Sequence, residues 1–361
     1  MSGGRWLRVS RTEGVAAAVG LLALVGCLLL GLRAPRVVLL SYLFAWLFWL
    51  APALGSVGLL MIHALTGGDW GLALRPALLA ASRRLPLMAL LMLPVLLGVA
   101  VLFPWAGPHA AGDPTLDRQR WWLDAPFFVA RAVVVWVLWL WLAHGIRRRL
   151  DMPSAGRFAA GGLIVYALSV SVAAVDWVVS LVPRWHSTTF GVLVGTAQLL
   201  AAAGLAVGVS VAGRDPAAAA WTPRRLNDLG SILMVLVLAW GYLAFMDYLT
   251  VWIADLPSET VWYLPRVKTG WRWLGAFLVV FHLALPFAVL LSRRAKQRAA
   301  WLAGVGWWLF LAQIGYVAWL VLPGLRTSAL AWSDPLAWIG IGGLWWMGYG
   351  AQRRAVPEAD A

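Results

Sequence analysis

Gly162-Leu-Ile-Val-Tyr-Ala-Leu-Ser-Val-Ser-Val-Ala-Ala-Val-Asp-Trp-Val-Val-Ser-Leu-Val-Pro-Arg-Trp-His-Ser-Thr188 is long and apolar enough to cross a bilayer. It nevertheless carries an acid, Asp176, and closes on a Pro-Arg-Trp-His cluster. An ionisable side chain inside a membrane helix is costly, and such residues mark functional sites by default. Working outward, the rest of the chain has the same character. Hydrophobic residues make up 62% of it and charged residues 12%, and the mean hydropathy is +0.80. Soluble domains carry about 25% charged residues. The expected fold class is therefore an all-α polytopic membrane protein, forming a single integral membrane domain over residues 1–361.

A helical span needs about 20 predominantly apolar residues. About ten such stretches are present, at roughly 14–32, 37–65, 85–104, 126–146, 158–182, 188–212, 226–254, 270–292, 299–322 and 332–350. The basic start and first apolar stretch resemble a signal peptide, but no small-residue cleavage site follows Leu32, so a retained first helix is expected. The net charge of +14 resides mainly in the connections between spans. With the N-terminus on one side, that side receives 19 Lys and Arg residues and the other receives nine. The positive-inside bias then places both termini in the cytoplasm. No basic run is organised for nucleic acid. Cys27 is the only cysteine, which excludes an internal disulfide, a c-type haem attachment and a cysteine-ligated iron–sulfur cluster.

The topology puts four ionisable groups in the outer half of the membrane. At 1.5 Å per residue, Asp176 lies about 9 Å inside the end of its span and Asp247 at a similar depth. Arg131 enters from the same side on the 126–146 span, and His282 is near the middle of the 270–292 span. Two acids, one fixed cation and one imidazole on four helices form a candidate proton-transfer or quinone site. They also fit a set of interhelical ion pairs that fixes packing. On the opposite side His63, Asp69 and Asp228 are candidates for proton uptake, with ordinary solvation as the alternative. A haem b held by two opposed histidines is not expected, because only His282 is deep. There is no His-Glu-x-x-His, P-loop or Gly-x-Ser-x-Gly motif. No metal and no covalent cofactor is expected. Pro52, followed by Gly55 and Gly58, is the best candidate for a helix unwound at a transporter site, with Pro94 and Pro286 as further kinks.

Several segments resemble a known family. They are Ser41-Tyr-Leu-Phe-Ala-Trp-Leu-Phe-Trp49 with Leu59-Leu-Met-Ile-His-Ala-Leu-Thr-Gly-Gly-Asp-Trp70, Ala125-Pro-Phe-Phe-Val-Ala-Arg131, Val172 to Thr188, and Asp255-Leu-Pro-Ser-Glu-Thr-Val-Trp-Tyr-Leu-Pro-Arg266. Together they are similar to the second quinone-binding-type membrane subunit of alternative complex III, a bacterial quinol:cytochrome c oxidoreductase. That subunit belongs with the NrfD-like, polysulfide-reductase-like membrane proteins. The chain departs from the pattern at Ala64, where a second histidine is expected, and at Asp124, where an uncharged polar residue is expected.

The resemblance implies two four-helix bundles flanked by single helices, in a bacterial inner membrane. It implies partners as well: a multihaem cytochrome c, an iron–sulfur subunit and a sister NrfD-like subunit. Quinone or quinol is the small molecule it brings, with oxidation near the outer face and electrons carried by the partners. A secondary transporter and a structural membrane scaffold are the rival readings.

Overall fold

The computed structural model describes residues 10–108, 112–212, 221–326 and 330–355. All its regular elements are helical, and no strand occurs among the described residues. In chain order they are α1 (Arg11–Gly31), α2 (Pro35–Thr66), α3 (Asp69–Ser82), α4 (Leu85–Leu90), α5 (Leu93–Leu97), α6 (Val99–Leu102), α7 (Pro114–Gln119), α8 (Ala125–Arg149) and α9 (Ala155–Trp177). The second half contains α10 (Phe190–Ala212), α11 (Pro223–Ala254), α12 (Pro257–Lys268), α13 (Trp271–Phe277), a π-helical stretch Leu278–Ala284, α14 (Leu285–Leu291), α15 (Arg293–Lys296), α16 (Ala299–Val321) and α17 (Ser333–Ala355).

Among the described residues, nine helical segments are long and apolar enough to cross a membrane. The stretch expected as a tenth span forms the 23-residue helix α17. Its many Trp and Gly residues lower its hydropathy without shortening it. It docks antiparallel to α1: Gly20 meets Gly340 and Gly343, and Glu13 pairs with Arg354 at the far end. Small residues at this crossing let the backbones approach closely, which is the main source of helix association in a lipid solvent.

The architecture is organised by α2 and α10, the most buried spans. They cross at Gly55, where a Cβ would sit 2.0 Å from the backbone oxygen of Gln198. Helices α3 and α8 pack against α2, α9 packs against both α2 and α10, α11 and α16 pack against α10 with α14 against α11, and α1 and α17 lie together beside α2. The acidic turn Asp113–Asp124 and α12 share one end of the molecule, called here the loop face. The arginine runs 147–149 and 293–298 lie at the other end, the basic face.

Two spans are irregular in ways hydropathy does not reveal. The expected 85–104 span belongs to a longer path that starts at Asp69 and breaks at Arg83-Arg84, Leu91-Met92 and Gly98. Pro86 and Pro94 cannot donate a backbone hydrogen bond, which frees carbonyls of the preceding turn. Neighbouring side chains satisfy carbonyls along this path. Arg147 donates to Ser82 O (3.3 Å), Trp46 Nε1 to Met88 O (2.9 Å) and the Tyr42 hydroxyl to Leu91 O (2.7 Å). Backbone at membrane depth must find such partners inside the protein. The second irregularity is the π-helical stretch, which carries His282 and precedes Pro286. Trp308 Nε1 donates to Phe281 O at 2.6 Å. By contrast α2 runs unbroken through Pro52, so the candidate position for a transporter-like interruption is not unwound.

Candidate functional site

Asp176 is 1% exposed and faces Arg131 across the α8–α9 contact. The guanidinium grips the carboxylate with both arms, Nε to Oδ2 at 2.8 Å and Nη2 to Oδ1 at 2.9 Å. Trp122 Nε1 also donates to Oδ1, at 2.9 Å. Arg131 Nη1 donates in turn to the Trp122 carbonyl at 2.9 Å, and the guanidinium lies over the rings of Trp122 and Phe127. A two-armed arginine–carboxylate pair is strong and geometrically specific. Both partners are spoken for, and the arrangement locks the α7–α8 turn onto α9.

Asp247 has a different surrounding. It is 4% exposed on α11 and receives hydroxyl donors only: Ser187 Oγ at 2.5 Å and Thr189 Oγ1 at 3.2 Å on Oδ1, and the Tyr263 hydroxyl at 2.6 Å on Oδ2. No arginine, lysine or histidine forms an ion pair with it among the described residues. Ser187 and Thr189 come from the turn before α10. Tyr263 comes from α12, which folds back after α11 because Asp255 takes a left-handed turn (φ 47°) and Pro257 starts the next helix. Tyr263 lies outside the spans. Burial, followed by the neighbouring Asp247 carboxylate, holds its phenol above the usual tyrosine range.

One turn along α12 from Tyr263 is Arg266, which is fully buried. It donates to three backbone carbonyls, those of Trp262 (2.5 Å), Trp319 (3.0 Å) and Leu320 (2.9 Å). Its guanidinium lies 3.6 Å over Trp262, which stacks on Trp185 with a 4.2 Å centroid separation. Burial lowers Arg266 to about 9, which leaves it charged at neutral pH. The residue fastens α12 to the end of α16 and so holds Tyr263 over Asp247.

Deeper in the same half, His282 is fully buried in the π-helical stretch. Its ring meets Trp240 edge-on at 4.2 Å and lies parallel to Tyr316 at 6.2 Å. Among the described residues neither ring nitrogen of His282 nor Gln313 Nε2 has a hydrogen-bond partner, while Trp240 Nε1 and the Tyr316 hydroxyl lie within reach of each other. Buried polar atoms are rarely orphaned, and a group of them is typical of places where ordered water resides. Tyr316 is also within electrostatic reach of Asp247, so this group continues inward from the acid. Single π-helical turns occur disproportionately at functional sites.

No family model and no curated protein matches the chain.

The four outer-half groups named from sequence therefore do not form one constellation. Arg131 and Asp176 pair in the α2 half, whereas Asp247 and His282 lie in the α10 half. No hydrogen bond or ion pair joins the two sets among the described residues. On the basic face, His63 Nε2 is 3.0 Å from the Gly68 carbonyl of its own turn and packs edge-on against Trp70. Asp69 and Asp228 are exposed and share no hydrogen bond with it or with each other among the described residues. The three proton-uptake candidates are not brought together.

The residues missed from sequence are mostly partners. Ser187, Thr189 and Tyr263 lie in connections between spans and Tyr316 in an aromatic-rich span, where residues of these types are common. Arg266 carried a usable signal: an arginine three residues after Tyr263 shares its helix face. Among the described residues no three His, Cys, Asp or Glu side chains converge in a way that could hold a metal ion.

Proposed function

We propose that this chain is a multi-pass membrane subunit that handles protons in a bacterial quinol:cytochrome c oxidoreductase of the alternative complex III type. In this reading Asp247 is the proton acceptor. The observation that carries it is the asymmetry between two buried acids. Asp176 is neutralised in place by Arg131, whereas Asp247 is buried among three hydroxyl donors and has no ion-pair partner among the described residues. A carboxylate held by hydroxyls exchanges a proton without first breaking an ion pair. Tyr316 and His282 extend the polar path toward the membrane interior. Arg131 and Asp176 serve as packing residues.

In the proposed setting the termini are cytoplasmic in the inner membrane, and Asp247 lies about 10 Å inside the outer end of α11. Quinol oxidation at a neighbouring site releases protons as electrons leave for the partner cytochrome and iron–sulfur subunits. Asp247 takes up such a proton, with Tyr263 as the exchangeable hydroxyl on its loop-face side. The family resemblance supports the partners, and the resident chemistry of the electron carriers belongs to them. Mild-detergent purification through a tag on this chain tests the assignment. Co-elution with haem c and iron–sulfur absorbance is expected. Recovery of the chain alone, transporting a solute after reconstitution, would overturn it.

A further inference from the structure

One surface groove is lined by neither of the buried acids. It lies between α14 and α16, has a volume of about 410 Å³ and is lined by Leu285, Pro286, Val289, Trp301, Gly304 and Trp308 among others. Its wall is apolar and open to the surroundings: Trp301 is 55% exposed, Leu285 45% and Trp308 38%. The bond from Trp308 to Phe281 O fixes one wall, so the π-helical stretch itself shapes the groove. Gly304 forms its floor, where a Cβ would meet nothing within 4 Å. From Ala300 to Trp308 the groove follows α16 for about 12 Å.

The turn that joins the two helices lies in sequence between the lining residues Val289 and Ala300. It carries Arg293, Arg294, Lys296 and Arg298 within six residues. Lys296 is buried and donates to Ser231 Oγ at 3.2 Å. The three arginines are exposed, and none forms an ion pair with a carboxylate among the described residues. An apolar channel of membrane depth, with three uncompensated guanidinium groups on the interfacial level in the turn between its helices, has the polarity of one kind of molecule. We propose that this groove binds a phospholipid with an anionic headgroup, its phosphate at Arg293, Arg294 and Arg298 and an acyl chain along Trp301, Gly304 and Trp308. Topology alone accounts for the arginines, but not for a groove whose lining residues Val289 and Ala300 bracket them in the chain. Basic pockets between helices at this level are a recognised way to select anionic lipid.

The test is native mass spectrometry of the full chain in detergent, with phosphatidylglycerol or phosphatidylcholine titrated in. The wild-type chain should retain phosphatidylglycerol at least about tenfold better than phosphatidylcholine. Combined substitution R293Q/R294Q/R298Q should abolish that preference. Gly304→Leu fills the floor while leaving every charge in place, and it should weaken phosphatidylglycerol retention to a similar extent. Trp301→Ser removes the exposed wall and provides a second groove variant should Gly304→Leu misfold. Equal retention of the two lipids by the wild-type chain would overturn the proposal. So would a loss confined to the arginine variant, because that outcome describes surface charge without a groove.

Discussion

Replacing Arg131 with Met should be among the most destabilising single changes in this protein. The arginine is 8% exposed and its partner Asp176 is 1% exposed, with two nitrogen–oxygen contacts of 2.8 and 2.9 Å. Removing the cation leaves a carboxylate held by Trp122 Nε1 and strips the Trp122 carbonyl of its donor. Breaking one side of a buried pair costs about 3–5 kcal/mol, whereas replacing both partners by apolar groups is often neutral. Arg131→Met and Asp176→Leu should therefore each lose about 3–5 kcal/mol. The double variant should lose far less than their sum, with a coupling of about 3 kcal/mol or more. Unfolding by sodium dodecyl sulfate in mixed micelles, followed by circular dichroism, measures all four corners of the cycle. Single losses below about 1 kcal/mol, or simple additivity, would refute the assignment of this pair as the lock between α8 and α9.

Other outcomes follow from the same geometry. Gly55→Ala would place a Cβ 2.0 Å from the Gln198 carbonyl oxygen and should cost about 1–3 kcal/mol or more by forcing α2 and α10 apart, measured in the same micelles. Trp308→Phe orphans the Phe281 carbonyl and should cost about 1–3 kcal/mol, with faster amide exchange across 278–284. Asp151→Asn is a contrasting case. Its 2.6 Å pair with Arg75 has side-chain exposures of 78% and 26%, so the loss should stay below about 1 kcal/mol. Arg75 holds the Asp151 carboxyl below the usual range. The pair's small contribution is thus present above about pH 4 and disappears as pH falls through the lowered value, and a stability–pH curve of the Asn variant should lack that acid-side component.

Much of the fold is readable in the sequence because lipid imposes one rule on nearly every residue. The expected spans 37–65, 226–254 and 270–292 correspond to Pro35–Thr66, Pro223–Ala254 and Trp271–Leu291. What hydropathy misses is backbone irregularity. The breaks after Ser82 and Leu90 and the π-helical turn at His282 depend on where Tyr42, Trp46, Arg147 and Trp308 can reach. Those are tertiary facts. The sites divide in the same way. Counting residues along a helix puts Arg131, Asp176, Asp247 and His282 in the spans, and each lies in a helical segment long and apolar enough to cross a membrane. Rotation about each helix does not follow from counting, and rotation sends Asp176 to Arg131 but Asp247 to Ser187 and Tyr263. The second acid also takes its partners from α12 and a loop, where polar residues are too common to stand out.

Two buried acids, Asp176 and Asp247, are candidates for carrying protons. The most direct measurement is the rate of proton release coupled to quinol oxidation in the intact reconstituted complex, comparing Asp247→Asn with Asp176→Asn after assembly of each is verified. Asp247→Asn should lose about 100-fold, the size expected for removing a positioned acid–base group, and assembled Asp176→Asn should show near-normal release. Normal release from Asp247→Asn together with a collapse in Asp176→Asn would contradict the role of Asp247 as proton acceptor.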